Sequence, residues 1–234
     1  MTLKPAIYSA VAFILAAYGF SAAIAATPIP TWYGEPDTTR QGYEFTDGSL
    51  SPVPEVLENP YGTPVASVTL GGFSDGWQDP DSEFDLTGVL EDGAWDLGTA
   101  GAITVILKVA EDPPEPGSFY RIQFQIYVVA YLGITALPSL DTLGLAAEDL
   151  TLSQSLVAPD PLFPGATWQG RTWTGYFDSV TTNQIGFAVK APANNTSVVD
   201  TFEVFTQVTL IPEPSAALMI LASFLAWSLR RSRS

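Results

Sequence analysis

The chain contains no cysteine and no histidine, and only nine lysines and arginines in 234 residues. Without thiols, disulfide cross-links, cysteine nucleophiles, haem attachment and zinc ribbons are excluded, so stability has to come from buried apolar surface. Without imidazole, Ser-His-Asp triads and histidine-ligated zinc are excluded as well, together with the usual general base near neutral pH. Against the few basic side chains stand 25 acidic ones, for a formal net charge of −16. Lys4, Arg230, Arg231 and Arg233 lie at the two ends, which leaves Arg40, Lys108, Arg121, Arg171 and Lys190 among nearly all of the carboxylates. Such a surface repels nucleic acid and anionic lipid, and no nucleic-acid partner is expected. Solubility is its simplest cause, and attraction of divalent cations is the competing one.

What is present is clearest at the ends. Lys4 precedes an almost wholly apolar run from Ala6 to Phe20, and small residues follow from Ser21 to Ala26. That order of charge, apolar core and small residues is a secretory signal, read by signal peptidase. Ala23 and Ala25 supply the small side chains that the peptidase needs, so residues 1–25 are the expected signal peptide and the mature chain begins at Ala26 or Thr27. The run is shorter than the roughly 20 residues that span a bilayer.

The other end reads Ile211-Pro212-Glu213-Pro214-Ser215, then apolar from Ala216 to Leu229, then Arg230, Arg231 and Arg233. Two prolines around a glutamate keep the backbone extended and accessible. As a helix the apolar run from Ser215 is about 22 Å long, short of a hydrocarbon core of about 30 Å. It can halt transfer, with the arginines held on the cytoplasmic side, but makes a poor permanent anchor. This tail resembles a PEP-CTERM sorting signal, with Pro212, Glu213, Pro214 and Ser215 at the motif and Arg230, Arg231 and Arg233 at the basic end. Ile211 stands where valine is common. The resemblance implies recognition and removal of the tail by exosortase. It further implies passage through an inner-membrane intermediate and delivery to the surface or the exopolysaccharide matrix of a Gram-negative bacterium.

Between the ends, residues 26–210 are expected to form one acidic domain. Prolines crowd residues 27–64, which should be extended and mostly loop, pinned by Trp32, Tyr33, Tyr43 and Phe45. Period-two alternation then sets in. Ile103, Val105, Leu107 and Val109 alternate with Thr104, Ile106 and Lys108, and Ile122, Phe124, Ile126 and Val128 alternate with Arg121, Gln123, Gln125 and Tyr127. These read as half-buried strands. Further strands are expected at 66–70, 84–90, 150–157, 167–177, 185–190 and 198–210, with a helical turn or two near Leu143 to Asp149 as the only internal helix. The fold class is therefore all-β: an antiparallel β-sandwich or jelly-roll-like domain flanked by an N-terminal signal helix and a short C-terminal transmembrane helix. Trp32 with Gly34, Thr38, Thr39 and Gln41 before Phe45, the run from Asn59 to Pro64, and Gly93-Ala94-Trp95 are similar to a layout found in exported β-sandwich proteins with this tail. No settled activity comes with it.

Two constellations can carry chemistry. Asp75, Asp79, Asp81, Glu83 and Asp85 cluster oxygen ligands. They fail the EF-hand pattern, because Asp85 stands where the sharp-turn glycine belongs, but Asp79, Asp81 and Asp85 could gather calcium in an irregular lectin-like site. The aromatics Trp32, Tyr33, Trp77, Trp95, Trp168, Trp173 and Tyr176 are the second set. Trp77, Trp168 and Trp173 are the candidate carbohydrate contacts, since an aromatic face stacks on a sugar ring. Core packing is the competing account for each, and Trp168 and Trp173, five apart, should point to opposite faces of a strand. Carboxylate pairs alone could run a glycosidase, but among so many acids a pair at the right spacing arises by chance. No enzyme is expected. The leading expectation is a non-catalytic surface or matrix protein, with a carbohydrate-binding module as the alternative.

Overall fold

A computed structural model describes residues 27–79, 93–159 and 164–212. They form twelve strands and no helix. In chain order these are β1 (Thr38–Tyr43), β2 (Val56–Glu58), β3 (Val65–Thr69), β4 (Gly76–Gln78), β5 (Ala94–Asp96), β6 (Ala102–Lys108), β7 (Ser118–Leu132), β8 (Ser139–Asp141), β9 (Glu148–Pro159), β10 (Thr167–Val180), β11 (Gln184–Lys190) and β12 (Val198–Pro212). The larger of two sheets runs β2-β1-β12-β7-β10-β9, with β5 attached to β12 and β4 to β5; the smaller runs β3-β6-β11-β8. Every pairing is antiparallel.

The alternation written in the sequence explains why the sheets face each other. From the large sheet Ile122, Phe124, Ile126 and Val128 on β7, Phe202 and Val204 on β12, and Trp173 and Phe177 on β10 point into one buried cluster. From the small sheet Ile103, Val105 and Leu107 on β6 and Ile185, Phe187 and Val189 on β11 enter the same cluster. Phe187 lies 5.1 Å from Phe124 and 5.8 Å from Phe177, while Phe124 and Phe177 are 4.8 Å apart. This aromatic triad joins the two layers, and burying each such ring contributes about 2–3 kcal/mol. The arrangement is sandwich-like, and the expected strands on β3, β6, β7, β9, β10, β11 and β12 are all present. The strand expected over 84–90 lies outside the described residues.

One expectation is refined and one is corrected. The proline-rich stretch is mostly loop, as expected, but it also contributes β1, which sits inside the large sheet between β2 and β12. Its inward positions Thr39, Gln41 and Tyr43 are fully buried. Two of the three are polar, so β1 lacks the apolar alternation that marks a strand in a sequence. Thr39 finds its partner only across the ladder, its hydroxyl 2.7 Å from that of Thr206. Nor is there a helical turn near Leu143 to Asp149. Leu143 and Gly144 take positive φ in a tight turn closed by Leu145 N–H donating to Thr142 O at 3.2 Å, and β9 begins at Glu148. Two successive positive-φ residues cannot sit in a right-handed helix, and seven residues are too few to hold one in isolation.

The outer face of the large sheet is only partly open. Residues at the start of the described chain cross it: the Gln125 amide donates to Pro28 O, and the Tyr33 ring meets Phe205 edge-on at 5.3 Å. Beneath this strap lies Glu203, only 2% exposed, which accepts from Arg40 Nε. Toward the other end of β7, Tyr127, Val129, Trp168, Ala94 and Ala158 form a second small core on the same face.

Candidate ligand-binding groove on the large sheet

The tryptophans singled out in the sequence do not form a platform. Trp168 and Trp173 do point to opposite faces of β10, but Trp168 is 2% exposed within the small outer core and Trp173 is 5% exposed within the main one. The Arg171 guanidinium lies 4.8 Å over the Trp173 ring. Both are therefore corrected from carbohydrate contacts to packing residues, because distant chain segments cover faces that a single strand would leave open. Trp77 is half-buried on β4; its Nε1–H donates to Phe45 O at 3.1 Å, and Gly48 and Gly93 pack against the ring. A Cβ at Gly93 would lie 2.9 Å from Trp77 Nε1, which is why the smallest residue stands there.

Of the calcium candidates, Asp79 follows β4, whereas Asp81 and Asp85 lie outside the described residues. Among the described residues no group of three or more carboxylates is placed to hold a metal. Ala23, Ala25, Glu213, Pro214, Ser215, Arg230, Arg231 and Arg233 also lie outside them. Pro212 is described: it is the last residue of β12, in register with Ser118 of β7.

A different place on the molecule has the geometry of a site. On the open part of the large sheet's outer face, Arg121, Gln123, Asp149, Thr151, Thr174, Gly175 and Tyr176 line a groove of about 350 Å³. Strand parity puts them there. Ile122 and Phe124 face the core, so Arg121 and Gln123 face outward on β7, and Trp173 and Phe177 face the core, so Thr174 and Tyr176 face outward on β10. Thr151 stands opposite Thr174 on β9, with the two hydroxyls 2.6 Å apart.

Two bulges shape the ends of the groove. Between the pairs Thr174–Thr151 and Tyr176–Glu148, β9 carries one residue more than β10, and Asp149 takes φ 49° there. Between Phe177–Ile122 and Val180–Tyr120 the extra residue is on β10, with Ser179 at φ 57°. Such bulges bend a strand and re-aim side chains, and aspartate is among the few residues that tolerate a left-handed backbone. The first bulge brings Asp149 to the groove wall.

The polar groups are held in place. Arg121 grips Asp178 with two bonds, Nε to Oδ1 at 2.5 Å and Nη2 to Oδ2 at 2.8 Å. The pair holds the Asp178 carboxyl below the ordinary aspartate value, the guanidinium hydrogen bond being the main cause. The same guanidinium sits 5.1 Å over the Tyr176 ring, and Tyr176 O–H donates to Glu148 Oε2 at 3.1 Å. That hydrogen bond to a carboxylate raises the phenol's pKa, so Tyr176 stays protonated and donating well above neutral pH. The result is a ring capped on one face by a guanidinium, beside hydroxyl, amide and carboxylate groups. Its one cation is already neutralised.

Sequence reasoning named Tyr176 among the aromatics and marked Arg121 and Gln123 as outward-facing, but did not join them to Asp149, Thr151 and Thr174. The outward parity of two strands was the available signal; their adjacency was not. Neither family models nor curated proteins match this chain.

Proposed function

We propose that this chain is an exported, non-catalytic protein of the cell surface or of an exopolysaccharide-associated extracellular matrix. In this reading residues 1–25 are a signal helix removed by signal peptidase, and residues 211–234 are a sorting tail whose short membrane-spanning helix is cut away by exosortase. The observation that carries the reading is the ordered tail: Pro212, Glu213 and Pro214, then an apolar run too short to anchor well, then three arginines. Within the described residues β12 ends on the first proline of the motif, Pro212, in register with Ser118 of β7. The absence of cysteine and histidine supports a role without catalysis. The groove favours a second role for the same exported domain, carbohydrate binding.

Replacing Pro212, Glu213 and Pro214 by alanine tests the sorting reading. In a host that carries exosortase, the wild type loses roughly the last twenty residues, a cut next to the motif as for other short removable tails. The triple variant stays in the inner membrane at full mature length. Intact mass and membrane fractionation report both. Wild-type protein that keeps Arg230 to Ser234, or a variant processed as efficiently, sinks the reading.

A further inference from the structure

We infer that the groove walled by Tyr176, Arg121, Gln123, Asp149 and the Thr151–Thr174 pair binds uncharged pyranose units of a polysaccharide. The inference rests on the exported placement above only in that extracellular glycans are then within reach.

Size comes first. A groove of about 350 Å³ is at the lower end of small-molecule sites and admits one or two sugar rings of a longer chain. It is lined by strand residues of β7, β9 and β10 on the face of a sheet, not by loops, and it opens to solvent there.

The wall chemistry selects a polyhydroxylated ligand. A sugar hydroxyl both donates and accepts, and adjacent hydroxyls suit groups that offer two sites side by side. Gln123 offers an amide with two donors and an acceptor, Asp149 a carboxylate with two acceptors, and Thr151 with Thr174 a hydroxyl pair. The ring of Tyr176 supplies the apolar part of the wall. It is tethered at its hydroxyl by Glu148 and carries the Arg121 guanidinium over one face, so little conformational freedom is lost when a sugar's C–H groups pack against the part of the ring left exposed.

Charge then divides neutral sugars from acidic ones. Among the described groove residues Arg121 is the one cation and is committed to Asp178, while Asp149 lines the groove and Glu148 holds the Tyr176 hydroxyl, on a chain of net charge −16. A uronate, sulfate or phosphate would be repelled and would lose its hydration without gaining a free partner. A neutral hexose meets no such penalty.

The test uses the full chain, purified in a zwitterionic detergent because maltoside detergents carry sugar heads that would compete. Isothermal titration with neutral tetrasaccharides of glucose, galactose and mannose, and with tetragalacturonate, should give saturable binding of at least one neutral probe. Tetragalacturonate should bind at least tenfold more weakly. Tyr176→Ala and Gln123→Ala should each weaken the neutral probe tenfold or more. Gln123 is exposed, so its variant keeps the fold even if loss of Tyr176 perturbs it. Ser67→Ala, on β3 of the other sheet, should bind as the wild type does. Equal or tighter binding of tetragalacturonate, unchanged affinity in the Gln123→Ala variant, or no saturable heat with any neutral probe overturns the assignment. Failure here with normal tail processing removes the groove and leaves the sorting reading standing.

Discussion

Arg40→Met is expected to destabilise the domain more than any loss of a surface ion pair would. Glu203 is 2% exposed and accepts from Arg40 Nε, and its Oε2 has no hydrogen-bond partner among the described residues. Arg40 also lies 5.4 Å over the Phe205 ring and 4.0 Å from Glu58, with its side chain 23% exposed. Removing the guanidinium leaves the Glu203 carboxylate buried beneath the strap with nothing to neutralise it, and breaking a buried pair from one side costs about 3–5 kcal/mol. Partial solvent access to Arg40 puts the expected loss at the lower end, about 3 kcal/mol. For a domain of this length that lowers the melting temperature by roughly 6–12 °C. The companion variant Arg40→Met with Glu203→Leu removes both charges and fills the space, so it should recover at least half of the loss. Thermal and urea melts of the two variants and the wild type at neutral pH measure this. If Arg40→Met lies within about 1 kcal/mol of wild type, or the double variant is no better than the single, the buried pair between β1 and β12 does not act as argued from burial.

Two further outcomes follow from the core and from the ion pairs. Phe187→Ala should cost about 3–5 kcal/mol in urea melts, because Phe187 is the small sheet's member of the triad with Phe124 and Phe177; a loss under about 1.5 kcal/mol would mean the sheets are not joined there. The folded-state values of Asp141, lowered chiefly by its hydrogen bond to Lys190, and Asp178, lowered by Arg121, lie below the ordinary aspartate value. Stability from both is therefore present above about pH 3.9 and is lost as pH falls below it. Asp141→Asn and Asp178→Asn should flatten the fall of melting temperature between pH 5 and pH 2, and an unchanged slope in both would refute the assignment.

Much of both sheets is legible in the chain itself. On β6, β7 and β11 the residues that meet the core are apolar and alternate, because a strand turns successive side chains to opposite faces and one face must leave water. The same parity correctly separates Trp168 from Trp173. It fails for β1, where Thr39 and Gln41 face inward. Thr39 is tolerated there because Thr206, 167 residues away, supplies its hydrogen bond. It fails also near Leu143, where Leu143 and Gly144 take positive φ in a tight turn that no helix can contain.

The sequence by itself determined the broad class, an acidic all-β chain without thiol or imidazole chemistry, since composition and period-two alternation are local properties. Only the tertiary structure decided which aromatic rings are covered and which polar side chains meet. Trp168 is hidden by Tyr127 and Ala158, and the groove exists because register and two bulges set Arg121 beside Asp178 and Tyr176 beside Glu148. Burial and adjacency of this kind depend on pairings between strands far apart in the chain, and no local pattern encodes them.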